Sequence, residues 1–247
     1  MFALIGKPLA HSFSADFFNE KFRREGIDNK YILAQLDEIS DLGLLFESHP
    51  DDLQGFNVTI PYKQQIIPYL DSLSVEAREI GAVNVVKVVR EDGRMYLKGY
   101  NSDAIGFKDS IAPLLSPDMK KALILGTGGA SNAVEYVLRS LGIETVKVSR
   151  NPSEGRLTYD DLSEEVMNDH LVIVNATPLG TWPNTDACPA IPYRMLTPKH
   201  LCFDLVYNPS ETLFMKKAAE HGATVKNGLE MLHLQALAAW DIWNTND

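Results

Sequence analysis

Residues 55–63 read GFNVTIPYK and end in a lysine placed where a protein can use one. Val58, Thr59 and Ile60 have the β-branched character of a strand, and Pro61, which has no N–H to give, stops it. Lys63 then stands just past a strand end, the edge at which α/β sheets bind ligands. Asn57 and Thr59 alternate along the strand and so share a face. Hydrogen-bonding side chains need partners once buried, and a small polar ligand supplies them. An ammonium at such a place can neutralise a developing negative charge or give up a proton. One lysine among 23 Lys and Arg is ordinarily a solvated surface charge, so the weight rests on what surrounds it.

A second constellation is Gly126-Thr127-Gly128-Gly129-Ala130-Ser131, set between the apolar run Lys121–Leu125 and a helical stretch over 133–141. A glycine-rich turn from strand to helix presents backbone N–H groups and a helix N-terminus to a dinucleotide pyrophosphate. Ser131 fills the third glycine position, where close helix–strand packing requires a small residue. A tight turn without a ligand would use the same residues, so the next strand decides. That strand, Thr145–Val148, ends near Ser149, close to the spacing of about 20 residues at which an acidic side chain grips the ribose hydroxyls of NAD. Here the chain carries Ser149-Arg150-Asn151. A guanidinium suits a phosphate, so Arg150 favours NADP, with Glu154 close by as a counterweight.

The elements that must position these residues alternate along the chain. Strands are expected at Met1–Ile5, Tyr31–Ala34, Val58–Ile60 and Gly81–Val89, the last pairing with Arg94–Lys98 through the turn Glu91-Asp92-Gly93. Helices are expected at Ser14–Phe22 and around Leu42–Phe46, and Asp103–Leu115 bridges into a second unit. Leu171–Asn175 and Leu201–Leu205 are two further apolar strands. The last helix, Leu229–Trp243, is apolar on every side and should be clamped between other elements. The expected fold is α/β, with an N-terminal α/β domain over 1–102, a Rossmann-type dinucleotide-binding domain over 103–227, and a cleft between them. The C-terminal helix 228–247 should return to the first domain.

With 247 residues, 45% hydrophobic and 23% charged, the chain can bury a full core. Its formal net charge of −10 argues against nucleic acid and anionic membrane surfaces as partners. Cys188 and Cys202 form no metal pattern, the histidines show no ligand spacing, and no metal is expected. The opening MFALIGKPLA is too short in apolar residues for a signal peptide, and no run reaches a membrane span, so the expected location is the cytoplasm.

Together these segments resemble shikimate dehydrogenase along nearly the whole chain. The motifs are Gly6–Ser14 (GKPLAHSFS), Asn57–Lys63 (NVTIPYK), Gly81–Asn84 (GAVN), Asn101-Ser102-Asp103, the glycine turn with Arg150, Asn175–Gly180 (NATPLG) and Gly228–Gln235, all in family order. Ser102 stands where threonine is usual, Asn132 where many members have a basic residue, and Asn151 where threonine is common. The resemblance implies that Ser12 and Ser14 bind a substrate carboxylate. It implies that Thr59, Asn84, Asp103 and Gln235 hold ring hydroxyls, with Tyr207 close by. Lys63 would be the catalytic group, paired with Asp103, and Leu205 and Gly228 would flank the nicotinamide. Ser14 also suits a helix N-cap, Asn84 and Asn101 suit turns, and His11 suits a structural hydrogen bond.

The implied reaction is reversible hydride transfer between NADPH and the ring ketone of 3-dehydroshikimate, giving shikimate. Hydride arriving at a carbonyl builds an alkoxide, to which Lys63 supplies charge and a proton; whether it transfers that proton or stabilises the alkoxide while water does stays open. Asp103 would orient the lysine and bind a neighbouring hydroxyl. Two alternatives remain: a quinate/shikimate dehydrogenase using NAD, and a non-catalytic sensor of shikimate-like ligands or NADPH. The expected assembly is a monomer or a homodimer.

Overall fold

Five consecutive buried residues, Phe2–Gly6, open the chain as strand β1. A strand covered on both faces has no use for polar alternation: Ala3 and Ile5 join one core cluster while Phe2 and Leu4 join another. The computed structural model describes residues 1–9 and 12–245, so His11 lies outside the described residues. The chain divides into two units, Met1–Ser102 with the segment from Ala236 onward, and Asp103–Gln235.

In the first unit β1 is followed by α1 (Phe13–Glu25), β2 (Tyr31–Gln35), α2 (Leu42–Ser48), β3 (Gly55–Val58), β4 (Ser72–Leu73), α3 (Val75–Ile80), β5 (Val85–Glu91) and β6 (Arg94–Tyr100). They form a mixed six-stranded sheet in the order β2-β1-β3-β5-β6-β4. β1 runs parallel to β2 and β3, and the β5–β6 hairpin is antiparallel. The hairpin closes at Glu91↔Arg94, leaving Asp92 and Gly93 as a two-residue turn with φ of 50° and 72°. Positive φ at both central residues is what a tight hairpin turn requires.

Three expectations are corrected here. β3 stops at Val58 rather than Ile60, because its partner β1 ends at Gly6 and the pairing runs out at Ile5↔Val58. The strand expected over Gly81–Val89 begins only at Val85. Gly81 instead closes α3 in the left-handed conformation, at φ 67°, and Ser74 caps that helix by accepting from the Ala77 N–H at 3.1 Å. The N-cap of α1 is Ser12, not Ser14, which sits inside the first turn.

The second unit begins in α4 (Ser102–Ile111) and continues through β7 (Lys121–Leu125), α5 (Gly129–Ser140), β8 (Glu144–Ser149), β9 (Arg156–Thr158), α6 (Glu164–Asp169), β10 (Val172–Asn175), β11 (Leu201–Asp204), α7 (Leu213–Glu220), β12 (Thr224–Lys226) and α8 (Leu229–Asn244). Its six strands are parallel throughout, in the order β9-β8-β7-β10-β11-β12. This is the 3-2-1-4-5-6 order of a Rossmann fold, with the switch point between β7 and β10. α5 begins at Gly129, four residues before the expected start, because the glycine turn feeds directly into it.

α8 is shared between the units. Its last turns pack on the first unit, where Phe2 stacks on Trp243 at a ring-centroid distance of 4.4 Å and the Trp243 indole N–H donates to Val86 O at 3.0 Å. A Cβ on Gly55 would lie 2.4 Å from the Trp243 ring nitrogen, so that strand must carry glycine there. The helix is less enclosed than its composition suggested: Glu230, His233, Leu237, Asp241 and Asn244 form an exposed stripe. Among the described residues no helix is long and apolar enough to cross a membrane.

Candidate active site

In the first unit the parallel strands β1, β2 and β3 end on one edge, and the loops carrying Lys7, Leu36 and Thr59–Lys63 leave from it. Thr59 continues the sheet by one bond, donating its N–H to Ile5 O at 2.9 Å, and its methyl group would meet a Cβ on Gly6 at 2.4 Å. Gly6 therefore lets the Thr59 side chain lie across the end of β1. Lys63 is half-buried in the turn that follows, its carbonyl accepting from Val83 N at 2.7 Å.

A chain of hydrogen bonds runs beneath these loops. Ser14 bonds the Tyr31 hydroxyl, which donates to Asn57 Oδ1 at 2.7 Å. Asn57 Nδ2 donates to Asn84 O at 3.1 Å. The Asn84 side chain is then joined to Ser102, donating to its Oγ at 3.0 Å and accepting from its N–H at 2.7 Å. Complete burial holds the Tyr31 phenol well above its ordinary pKa, so it acts as a neutral donor. Asn57 was expected to await a ligand; it is satisfied by Tyr31 and the Asn84 backbone instead. Ser14 and Asn84 thus lie on one hydrogen-bonded framework, while Ser12 is the N-cap of α1 and Thr59 and Lys63 stand in the loop after β3. Asp103 follows Ser102 directly, almost fully buried in the first turn of α4.

Within the second unit Asp103 is one helical turn before Gly106, on the same face of α4. A Cβ on Gly106 would lie 2.6 Å from Met231 O and 2.9 Å from Gln235 N. α4 and α8 therefore meet backbone to backbone, and Gln235 flanks the helix face that bears Asp103.

The glycine turn lies at the switch point. Gly126 takes φ 111°, and a Cβ there would meet Ala176 O at 3.1 Å, at the end of the neighbouring strand. Gly128 is the N-cap of α5 and gives no side-chain cap, while a Cβ on it would meet nothing within 4 Å. Open space above uncapped N–H groups fits a pyrophosphate. Thr127 and Gly128 are exposed, Gly129 and Ala130 half-buried, and Ser131 is fully buried with its hydroxyl donating to Gly128 O at 2.6 Å. Ser149 ends β8, its hydroxyl donating to Asn151 O, and Arg150 and Asn151 are exposed beyond it. Leu205 and Gly228 are in close approach, since a Cβ on Gly228 would fall 2.2 Å from Leu205 O. Tyr207 is exposed two residues past Leu205.

A family model described as the shikimate dehydrogenase substrate binding domain matches residues 4–86. The shikimate dehydrogenase (NADP(+)) of Desulforamulus reducens is 34% identical, over 97% of this chain and 88% of its own. The chain belongs to the shikimate dehydrogenase family. Among solved structures, the shikimate 5-dehydrogenase of Thermus thermophilus in complex with NADP(H) and shikimate is 31% identical. It superposes with a TM-score of 0.84 over 98% of this chain and 92% of that one. The shikimate dehydrogenase of Aquifex aeolicus is 35% identical with a TM-score of 0.85, over 98% and 91% of the two chains.

Two groups of residues serve this shikimate dehydrogenase fold without having been read as site residues in the sequence, although Asn175 opens the NATPLG motif. Tyr31 ties Ser14 to Asn57, and an aromatic residue opening an apolar strand gives no sign of that. The other group is Asn175, Asp204 and Thr212, all fully buried. Asp204 accepts from Asn175 Nδ2 at 2.9 Å, Thr212 Oγ1 at 2.6 Å and the Val206 N–H at 3.0 Å. Burial pushes its pKa up to about 6 although all three donors favour the charged form. The trio joins the ends of β10 and β11 to the start of α7, and so fixes where Leu205 leaves the sheet.

Proposed function

We propose that this chain is an NADP-dependent shikimate dehydrogenase, which reversibly reduces 3-dehydroshikimate to shikimate on the route to chorismate and the aromatic amino acids. Ser12 and Ser14 bind the substrate carboxylate. Thr59, Asn84, Asp103 and Gln235 hold the ring hydroxyls, with Tyr207 at the margin. The residues of 1–102 with the C-terminal helix form the substrate domain, and 103–227 the cofactor domain. When bound, NADPH supplies the hydride. Gly126, Thr127, Gly128, Gly129 and Ala130 hold its pyrophosphate, Ser149, Arg150 and Asn151 its adenosine phosphate, and Leu205 and Gly228 border its nicotinamide. Lys63 faces the oxygen that becomes an alkoxide and stabilises its charge, with the proton coming from the ammonium or from water, while Asp103 orients the ammonium.

One observation carries the reading. In a member of this family, the hydrogen-bond chain from Ser14 through Tyr31, Asn57 and Asn84 ends on Ser102, immediately before Asp103. A framework that spends its own polar atoms to hold those positions serves a polar ligand. We assign the enzyme to the cytoplasm, as a monomer or homodimer. Steady-state assays with shikimate and quinate against NADP and NAD test the proposal. Turnover confined to shikimate with NADP is the expected result. Preference for quinate or NAD would point to the broader dehydrogenase, and no turnover with tight binding to a sensor.

A further inference from the structure

Lys147 stands two residues before Ser149 on β8 and so projects to the same face, about 7 Å back along the strand. Its side chain crosses to α5. There the Nζ donates to Asn132 Oδ1 at 2.8 Å and pairs with Glu135 Oε2 at 2.5 Å. Asn132 belongs to the first turn of α5, immediately after the glycine turn. The ammonium therefore lies against the first two turns of α5, two residues back from the β8 end that Arg150 follows. This is the corner at which a Rossmann unit reads the adenosine ribose and anything attached to it.

The charge balance there is positive. Glu135 is already engaged by Arg139, whose guanidinium reaches it at 2.7 Å and also donates to Thr145 Oγ1 at 3.0 Å. One carboxylate thus serves two cations, and the trio of Glu135, Arg139 and Lys147 keeps a surplus positive charge beside Arg150. The Lys147 side chain is only 14% exposed. Taking an ammonium this far out of water is costly unless partners share it, and Asn132 and Glu135 supply them.

We propose that Lys147 is a second reader of the cofactor's 2′-phosphate, held in place by Asn132 and Glu135 and acting with Arg150 to select NADP(H) over NAD(H). The inference rests on the NADP reading above and names a specificity residue that this reading does not require. Asn132 is too short and uncharged to bind the phosphate by charge, and it instead positions the lysine that does.

The test is equilibrium titration of the full chain, by nicotinamide fluorescence with NADPH and NADH, and by calorimetry with 2′,5′-ADP and 5′-AMP. Wild type should bind NADPH and 2′,5′-ADP more tightly than their unphosphorylated counterparts. Lys147→Met should weaken both phosphorylated ligands about tenfold, the low end for a charge-assisted bond because Glu135 shares the ammonium. NADH and 5′-AMP should stay within about twofold. Lys147→Arg should restore most of the selectivity. If Lys147→Met does not fold, Lys147→Gln, which can still reach Asn132, takes its place in the same titrations. A variant that keeps the wild-type ratio of NADPH to NADH affinity, whether both hold or both fall, overturns the proposal for Lys147 alone. A wild type that binds NADH as tightly as NADPH overturns the cofactor reading and the inference together.

Discussion

Replacing Gly228 by alanine separates the cofactor site's geometry from its chemistry. The added Cβ would fall 2.2 Å from Leu205 O and 2.7 Å from Leu205 C, where real Cβ contacts stay beyond 3.0 Å. Both obstacles are backbone, so no side chain can swing away. Leu205 is itself held, its N–H bonded to Asn175 O at 3.0 Å, and the next residue is tied to Asp204. The gap must open by moving the start of α8 or the Leu205 strand end by most of an ångström. Such overpacking costs about 1–3 kcal/mol of stability. A misplacement of about 1 Å at a site that must align two reactants costs on the order of 100-fold in rate. Denaturant unfolding should show the stability loss, and kcat/KM should fall by that factor. Gly128→Ala is the counterpart: its Cβ meets nothing within 4 Å and its φ of −81° suits alanine. It should leave stability intact and weaken NADPH and NADH alike, because the pyrophosphate needs the bare backbone. A Gly228→Ala enzyme with wild-type stability and kcat/KM would refute the packing argument.

Four further outcomes are expected. Lys63→Ala should lower kcat by at least ~100-fold with a much smaller change in shikimate affinity, and near-normal turnover would remove it from the chemistry. Arg150→Ala should raise the KM for NADP about ten- to a hundredfold and leave that for NAD unchanged; equal loss of both would show that Arg150 does not read the phosphate. Ser14→Ala and Gln235→Ala should each weaken shikimate by about 0.5–1.5 kcal/mol more than NADPH, judged by titration with both ligands, and equal losses would mean a folding role. The folded Asp204 carboxyl, at about 6 against an ordinary 3.8, binds protons more tightly than the unfolded one, so its contribution is full below the lower value and lost as pH rises through the higher. The stability of wild type minus that of Asp204→Asn should therefore shrink by about 2 kcal/mol from pH ~4 to pH ~6.5, and parallel curves would contradict the burial argument.

How much the sequence revealed depends on how local the cause was. Lys121–Leu125 was legible to the residue because a strand buried on both faces reads as an unbroken apolar run. The hairpin at Asp92-Gly93 was legible because its turn chemistry is local. Helix α3 had its signals as well, a capping Ser74 and a closing Gly81, but reading Gly81 into the following strand hid them. The end of β3 was not legible. Thr59 and Ile60 favour a strand intrinsically, and what stops them is the end of β1, more than 50 positions earlier in the chain.

The same distinction governs the site. A polar residue at a strand end reads identically whether it waits for a ligand or holds the scaffold, and only its partner tells the two apart. Asn57 finds Tyr31 across 26 residues, and Asn175 finds Asp204 across 29, so both belong to the scaffold. Lys147 shows the converse. It sits on a strand among valines as an ordinary alternating residue, and Asn132 marks a missing charge; neither is informative alone. Placed 2.8 Å apart at the corner that holds Arg150, they become one device, in which the charge absent from the helix is supplied by the strand beside it.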